Sequence, residues 1–487
     1  MRRVTPWGLA LGLALACDER GLEDPREAQI VGVMAQADEA VIRSRPVLSA
    51  GKYVKMAGSA YDFFRGTVPL YRSDMRSGAT EVAVSRFALE LPLVPSLGDP
   101  HPENFGVLRA ADGTAALEPN DFDASDRLPY LWDVRRLAAG MALSALVSNP
   151  KDAAQRQAVI DAQADIVAAA MTSYRDAIEA ASRGVLPPRV VAGMGGAIVA
   201  DLFRRSERDR NGRELDELTT MAGGSRRFAL GVLDPEEPQS AQVPLPPYAL
   251  AALPEAIAGW RRSLLVQPPL EELRVLDAVR VFGSGVASWP RVRVLVLLRG
   301  PTDDPKDDVI VELKEIADPN VGGIVPPGVF ADSLGERVIR AGRAAWARLD
   351  GEPRWGWTTW LGLPCQIRLE TEGQKGVSVD RFEEDEGTPE ALRDLGIVLG
   401  SIVARAHAPE ARAIAAKIAI DRDGWVAEQT EAGRVYAALV MKDHERFVRS
   451  LHRRDGLRLG IPVDPADAPS PDLASVFGSP PPVPALP

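Results

Sequence analysis

The sequence predicts an α+β fold, mostly helical, with a small β-rich unit placed late in the chain. Three observations carry this. Runs of β-like residues cluster between Leu276 and Lys314 around Gly283-Ser284-Gly285. Apolar residues at helical spacing mark long stretches before and after them. Between Tyr53 and about Val147 the chain is dense in acids set among Pro and Gly turns, which is the texture of a site.

At 487 residues, two to three structural units are expected. Hydrophobic content of 46% and charged content of 26% are ordinary for a chain with a large core. The 57 basic residues against 68 acidic ones give a net charge of −11, which argues against nucleic acid as the main partner. Sparse Tyr, Phe and Trp beside abundant Ala, Gly, Pro and Arg read as a GC-rich bacterial genome.

Arg2 and Arg3 precede an apolar run from Trp7 to Ala16, too short to span a bilayer and shaped like an export signal. Ala14-Leu15-Ala16-Cys17 matches a lipoprotein signal, with Leu missing from its first position. Residues 1–17 are therefore expected to be a signal segment. Lipidation of Cys17 would tether the chain to a membrane face, periplasmic or at the cell surface, and would be its sole membrane contact. Cys365, beside Pro364, is then the single remaining thiol and reads as a core filler.

Residues 18–50 read as a charged leader followed by a helix. Gln155 to Ser182 reads as one long amphipathic helix, with Val159, Ile166, Val167, Ala170, Met171, Tyr174 and Ile178 on its apolar face. Residues 205–225 read as a charged loop ending in Gly223-Gly224, and 234–247 as a linker. Strands are expected over Leu276–Phe282, Val292–Leu298 and Val309–Leu313, and a helix over Asp332–Leu349. Thr388-Pro389 is a helix start, with Thr as N-cap and Pro at the first position. The Pro-rich segment 460–487 reads as an extended tail.

The strongest chemical signal is Gly98-Asp99-Pro100-His101-Pro102-Glu103-Asn104-Phe105-Gly106. An Asp followed five residues later by an Asn has the spacing of a kinase catalytic loop. There the Asp accepts the proton of an attacking hydroxyl and the Asn oxygen ligates magnesium. Asn120-Asp121-Phe122-Asp123 follows, two acids flanking an apolar anchor. Asp121 would hold magnesium between phosphates, and Asp123 would hold a second ion or orient the first. Asp133, opening an apolar helix, reads either as that helix's N-terminal cap or as a support that accepts hydrogen bonds from the catalytic-loop backbone and so holds Asp99 in place. Gly283 and Gly285 would let backbone N–H groups approach phosphate oxygens. Lys314, at the end of the third strand, would grip the phosphates, and Glu336 on the next helix would pair with it.

These runs, with Phe63-Phe64-Arg65-Gly66, Trp132-Asp133-Val134-Arg135-Arg136-Leu137, Glu312-Leu313-Lys314-Glu315, Arg337-Val338-Ile339 and Ala404-Arg405-Ala406-His407-Ala408, resemble the bacterial family called domain of unknown function 2252 over roughly 55–410. That family resembles protein kinases and aminoglycoside phosphotransferases. The resemblance implies ATP and Mg²⁺ as cofactors, and Arg65 and His101 as supports of the site. It also implies a two-lobed kinase-like fold, circularly permuted. The catalytic-loop part with a helical insertion would occupy 18–250, the nucleotide lobe 270–350 and the rest of the helical lobe 351–459. The sequence departs from the family at Ser288-Trp289-Pro290, at Arg340-Ala341-Gly342-Arg343 and at Pro409-Glu410-Ala411.

Three functions are expected in descending order. The first is phosphotransfer from ATP to a small-molecule or protein acceptor. The second is an exported binding or scaffold protein that keeps the site without turnover, because an exported chain meets little ATP. The third is a metal-dependent phosphoesterase, since Gly-Asp-x-His also occurs in two-metal phosphatases. The four His residues, His101, His407, His444 and His452, are few for such a site.

Overall fold

A computed structural model describes residues 24–452, apart from 78–80, 89–90, 210, 235–236, 318–333 and 371–372. The signal segment, Cys17 and the Pro-rich tail lie outside the described residues.

The fold mixes helices and strands. Thirteen strands are described: β1 (Leu93–Ser96), β2 (Phe105–Arg109), β3 (Ala115–Pro119), β4 (Asp126–Pro129), β5 (Thr219–Ala222), β6 (Ser225–Phe228), β7 (Gly231–Asp234), β8 (Glu237–Pro244), β9 (Val275–Phe282), β10 (Arg293–Leu298), β11 (Val309–Glu315), β12 (Gly356–Trp360) and β13 (Leu363–Leu369). The last seven form one sheet in the order β12-β13-β11-β10-β9-β8-β7, with every neighbouring pair antiparallel. The sheet is thus wider than the expected 270–350. The stretch 234–247, read as a linker, supplies the whole of β8. The supposed loop at 205–225 instead holds the end of helix Gly196–Arg208, all of helix Asn211–Leu218, strand β5 and the turn into β6.

Period-2 alternation sorts the sheet residues. Val294, Val296, Leu298, Val311, Leu313, Cys365 and Ile367 pack with Trp260 of helix Leu253–Ser263. The opposite face changes character along its length. Leu297 and Ile310 are covered by Leu215 and Phe228. Toward the other end the same face carries Arg293, Glu312, Lys314, Gln366 and Arg368, brought side by side by the pairings Arg293↔Lys314, Lys314↔Gln366 and Glu312↔Arg368. The register therefore puts Lys314 on a charged patch. Cys365 is fully buried, and burial pushes its thiol up.

Helix Tyr130–Val147 is buried on nearly all sides, as an apolar helix at the centre of a domain must be. Helices Gln163–Ser182, Pro389–Ala406 and Arg422–Leu451 surround it in the main core. The expected helix 155–182 is two, Ala153–Asp161 and Gln163–Ser182, broken at Ala162. Thr388 caps its helix as expected, its hydroxyl accepting from the Ala391 N–H at 3.1 Å. Among the described residues no helix is long and apolar enough to cross a membrane.

Two links tie the sheet to the helical part. Arg45, just before helix Pro46–Gly58, makes a buried two-pronged bond to Glu315 (2.5 and 3.1 Å) and donates to the Pro290 carbonyl at 3.0 Å. Trp289 packs against Gly51, where even a methyl group would come within 2.4 Å of the indole nitrogen. The departure Ser288-Trp289-Pro290 therefore anchors the 283–292 loop to the N-terminal helices.

A candidate phosphotransfer site

Two short antiparallel pairs, β1–β4 and β2–β3, hold two loops against each other. The first loop, 97–104, joins β1 to β2. The second, 120–125, joins β3 to β4. Gly98 has φ +83°, and a Cβ there would lie 1.9 Å from the Ala124 carbonyl oxygen. Gly is required both for the left-handed backbone and for the contact between the loops.

Asp133 fixes the first loop from below. Its Oδ1 accepts from the Ser96 hydroxyl (2.6 Å) and the Gly98 N–H (3.0 Å), and its Oδ2 from the Leu97 N–H (2.7 Å). Of the two readings of Asp133, the backbone support is formed and the N-terminal cap is not: Pro129 holds the cap position, and Asp133, 1% exposed, lies inside the first turn.

Asp99 accepts the Arg136 Nε–H at 2.6 Å through Oδ1, and His101 Nε2 lies 3.4 Å from its Oδ2. Burial pushes its pKa up, but Arg136 first and His101 second outweigh that and hold it well below the usual carboxylate range. His101 itself is edge-on to Tyr61 and Phe64. The Asn104 amide nitrogen donates to the Asp99 carbonyl at 2.8 Å, which leaves its carbonyl oxygen as the acceptor end.

Phe122 is fully buried between Trp346 and Trp355, so the acids on either side of it are turned out. Lys314 Nζ lies 2.5 Å from Asp123 Oδ2 and 3.8 Å from Asp121 Oδ2. Burial of Asp123, helped by the adjacent Asp121 charge, raises its pKa despite Lys314; for Asp121 the Lys314 ammonium overcomes burial and lowers it. Asp123 Oδ1 is buried with no hydrogen-bond partner. Arg337 braces this loop from the helix above, donating to the carbonyls of Asp123 (2.9 Å), Phe122 (3.3 Å) and Ser125. Arg368 donates to the Asn120 carbonyl at 3.0 Å.

Asp99, Asn104, Asp121, Asp123, Lys314, His101, Arg65 and Gly285 all line one cavity of about 320 Å³. Gly283 (φ +84°) shapes the loop but does not line the cavity. Arg65 pairs with Glu103 at 2.9 Å, and Glu103 in turn accepts the Val379 N–H at 2.8 Å. The Glu336–Lys314 pair is not formed. Lys314 is drawn to the two acids below it, and Glu336 instead bonds Arg340 one turn along its own helix.

A divalent cation suits this donor set. The Asn104 carbonyl, the 38% exposed Asp121 side chain and the unpartnered Asp123 Oδ1 are hard oxygens, the kind magnesium takes alongside phosphate and water. Among the described residues there is no group of three or more His, Cys, Asp and Glu that would cage a metal by itself.

Sequence reasoning assigned no role to Arg136, Arg337, Arg368 or Lys52. Lys52 also lines the cavity, bonded to Asp38 at 2.6 Å. Arg136 had a usable signal, because it stands one helical turn after Asp133 and so reaches the same loop. Arg337 lay within a quoted run but had no partner to suggest. The other two are lone cations without a motif.

A family model described as "Uncharacterized protein conserved in bacteria (DUF2252)" matches residues 43–450. No curated protein and no solved structure matches the chain.

Proposed function

Because the chain belongs to the bacterial family DUF2252, whose description assigns no activity, we propose from the site itself that it is a kinase-like phosphotransferase using ATP and magnesium. The observation that carries this reading is the meeting of Asp99, Asn104, Asp121, Asp123 and Lys314 in one cavity. In this reading the fold is two-lobed and permuted. The sheet bearing Lys314 covers the donor phosphates, and the loops bearing the acids lie beneath them, although they come first in the chain.

Asp121, the Asn104 oxygen and the free oxygen of Asp123 would hold the magnesium. When bound, the ion supplies charge neutralisation on the phosphates. Lys314 adds a second positive charge on the same phosphates. Asp99 orients the acceptor hydroxyl through Oδ2, since Arg136 occupies Oδ1. Its lowered pKa makes it a weak base. It therefore receives the proton late, as the acceptor oxygen bonds to phosphorus and the bond to the departing nucleoside diphosphate breaks. The catalysis is chiefly positioning and electrostatics.

The Arg136 and His101 contacts on Asp99, which stabilise its charged form, favour a second reading, a nucleotide-binding protein without turnover. The acceptor is a small molecule or a protein, and a net charge of −11 argues against nucleic acid. His101 is turned to Asp99, which weakens the phosphoesterase reading.

Calorimetric titration of magnesium-ATP tests the proposal. The parent chain binds. Asp121→Ala binds about 10-fold or more weakly, having lost a charged ligand. Asn104→Ala falls between the two. A parent that binds no nucleotide with magnesium present would sink the proposal.

We further propose that the chain is exported and lipid-anchored through Cys17. Cys17→Ser then moves it from the membrane to the soluble fraction. Equal partitioning of variant and parent would overturn the anchor, and an unprocessed cytoplasmic product would overturn export.

A further inference from the structure

The Ala404–Ala408 run has no part in the site chemistry described above, yet it holds a fully buried histidine, His407, in contact with the site's support. His407 closes helix Pro389–Ala406, and its ring bridges two other helices. Nε2 lies 3.0 Å from Asp133 Oδ2 and Nδ1 lies 2.8 Å from the Tyr174 hydroxyl. The tautomer with its proton on Nε2 satisfies both bonds: Nε2–H donates to Asp133, and Nδ1 accepts from Tyr174 O–H. The ring is held edge-on to Tyr174, which stacks on Trp425. Trp425 donates to the Tyr130 hydroxyl at 3.2 Å, at the start of the helix that carries Asp133.

The bonding of Asp133 shows why this matters. Its carboxylate is buried, and the donors bonded to it are Ser96, Leu97, Gly98 and His407. Three of these belong to the catalytic-loop stretch, and His407 alone among the four comes from elsewhere. A carboxylate held only by the loop it supports could swing with that loop. The fourth bond, from a different helix, fixes the direction of the carboxylate.

We infer that His407, backed by Tyr174, is a positioning residue that acts through Asp133 to hold the 96–99 backbone, and with it Asp99, in place. The catalytic loop is thereby tied to a helix some 300 residues later in the chain. The bearing on turnover rests on the phosphotransfer reading, whereas the bearing on loop order does not.

Amide hydrogen exchange of the full chain tests it, with the peptide spanning Leu97 and Gly98 as the readout. His407→Phe keeps a ring in the buried space and removes both bonds. Exchange in that peptide is expected to rise about 10-fold, while the peptide over helix Tyr130–Val147 stays as in the parent. His407→Gln restores a donor toward Asp133 and should return exchange toward the parent value. Tyr174→Phe, which removes one hydroxyl, gives an intermediate rise and keeps the test available if His407→Phe fails to fold. Where the parent transfers phosphate, kcat should fall about 10-fold in His407→Phe with KM for magnesium-ATP unchanged. A parent without transferase activity would defeat the phosphotransfer reading and leave the exchange result standing. Unchanged loop exchange in His407→Phe and Tyr174→Phe, a uniform rise across the helical core, or no rescue by Gln would each overturn the positioning role.

Discussion

Asp99→Asn should bind magnesium-ATP as the parent does and transfer phosphate more slowly by about 10²–10⁴. Asn keeps an oxygen for the Arg136 Nε–H, which lies 2.6 Å from Asp99 Oδ1, so the fold is spared a buried guanidinium without its acceptor. What disappears is the negative charge that orients the acceptor hydroxyl and takes its proton. Asp99→Ala would be the poorer test, because it strips Arg136, itself fully buried, of that acceptor. Arg136 and His101 overcome burial to hold the Asp99 pKa well below the usual carboxylate range. The parent rate should then show no loss from this group as pH falls from about 8 to about 5, because an ordinary Asp already titrates near 3.9. Single-turnover rates with saturating magnesium-ATP measure both effects, once an acceptor is in hand. Loss of nucleotide binding in Asp99→Asn, matching that of Asp121→Ala, would make Asp99 a metal ligand and remove it as the base.

Much of this site was readable from local spacing. Asp99 and Asn104 lie on one loop, Asp121 and Asp123 on another, and each pair is close enough in sequence for the backbone to aim both members together. The buried Phe122 explains the second case, since anchoring it turns both neighbours outward. Asp133 was half readable: an acid opening an apolar helix needs donors, but they come from Ser96, Leu97 and Gly98 in the earlier loop and not from the helix's own N-terminus. Pairings across the fold were not readable. Glu336 and Lys314 are a sound guess from order along the chain, yet the Lys was taken by two acids nearly 200 residues upstream. The sheet's extra strands were hidden for a different reason. β8 reads Glu-Pro-Gln-Ser-Ala-Gln-Val-Pro, which has little β preference and enters the sheet through its backbone. The break at Ala162 carries no Gly or Pro, so helical periodicity runs straight across it.

Lys314→Met should destabilise the protein by about 2 kcal/mol at neutral pH, and the loss should shrink as the solution is acidified. A fully buried pair stripped of one partner would cost more. Here Asp121 is 38% exposed and Asp123 28%, so water screens part of the charge left behind. The sign of the pH dependence follows from the acids. With Lys314 present, Asp121 is lowered and Asp123 raised. Without it, each carboxylate keeps its burial and its acidic neighbour and loses its cation, so the folded-state pKa of both rises. A carboxyl whose folded pKa lies above its unfolded value binds more protons folded than unfolded. Its contribution to stability therefore falls as pH climbs through that range. Urea unfolding at about pH 5 and about pH 7.5 should show Lys314→Met close to the parent in acid and well below it at neutrality. Magnesium alone should recover part of the deficit at the higher pH, because a cation can stand between the two carboxylates where the ammonium stood. A deficit that is equal at both pH values and indifferent to magnesium would mean that Lys314 serves the fold through the packing of its aliphatic stem, and that the two acids do not form a cation site.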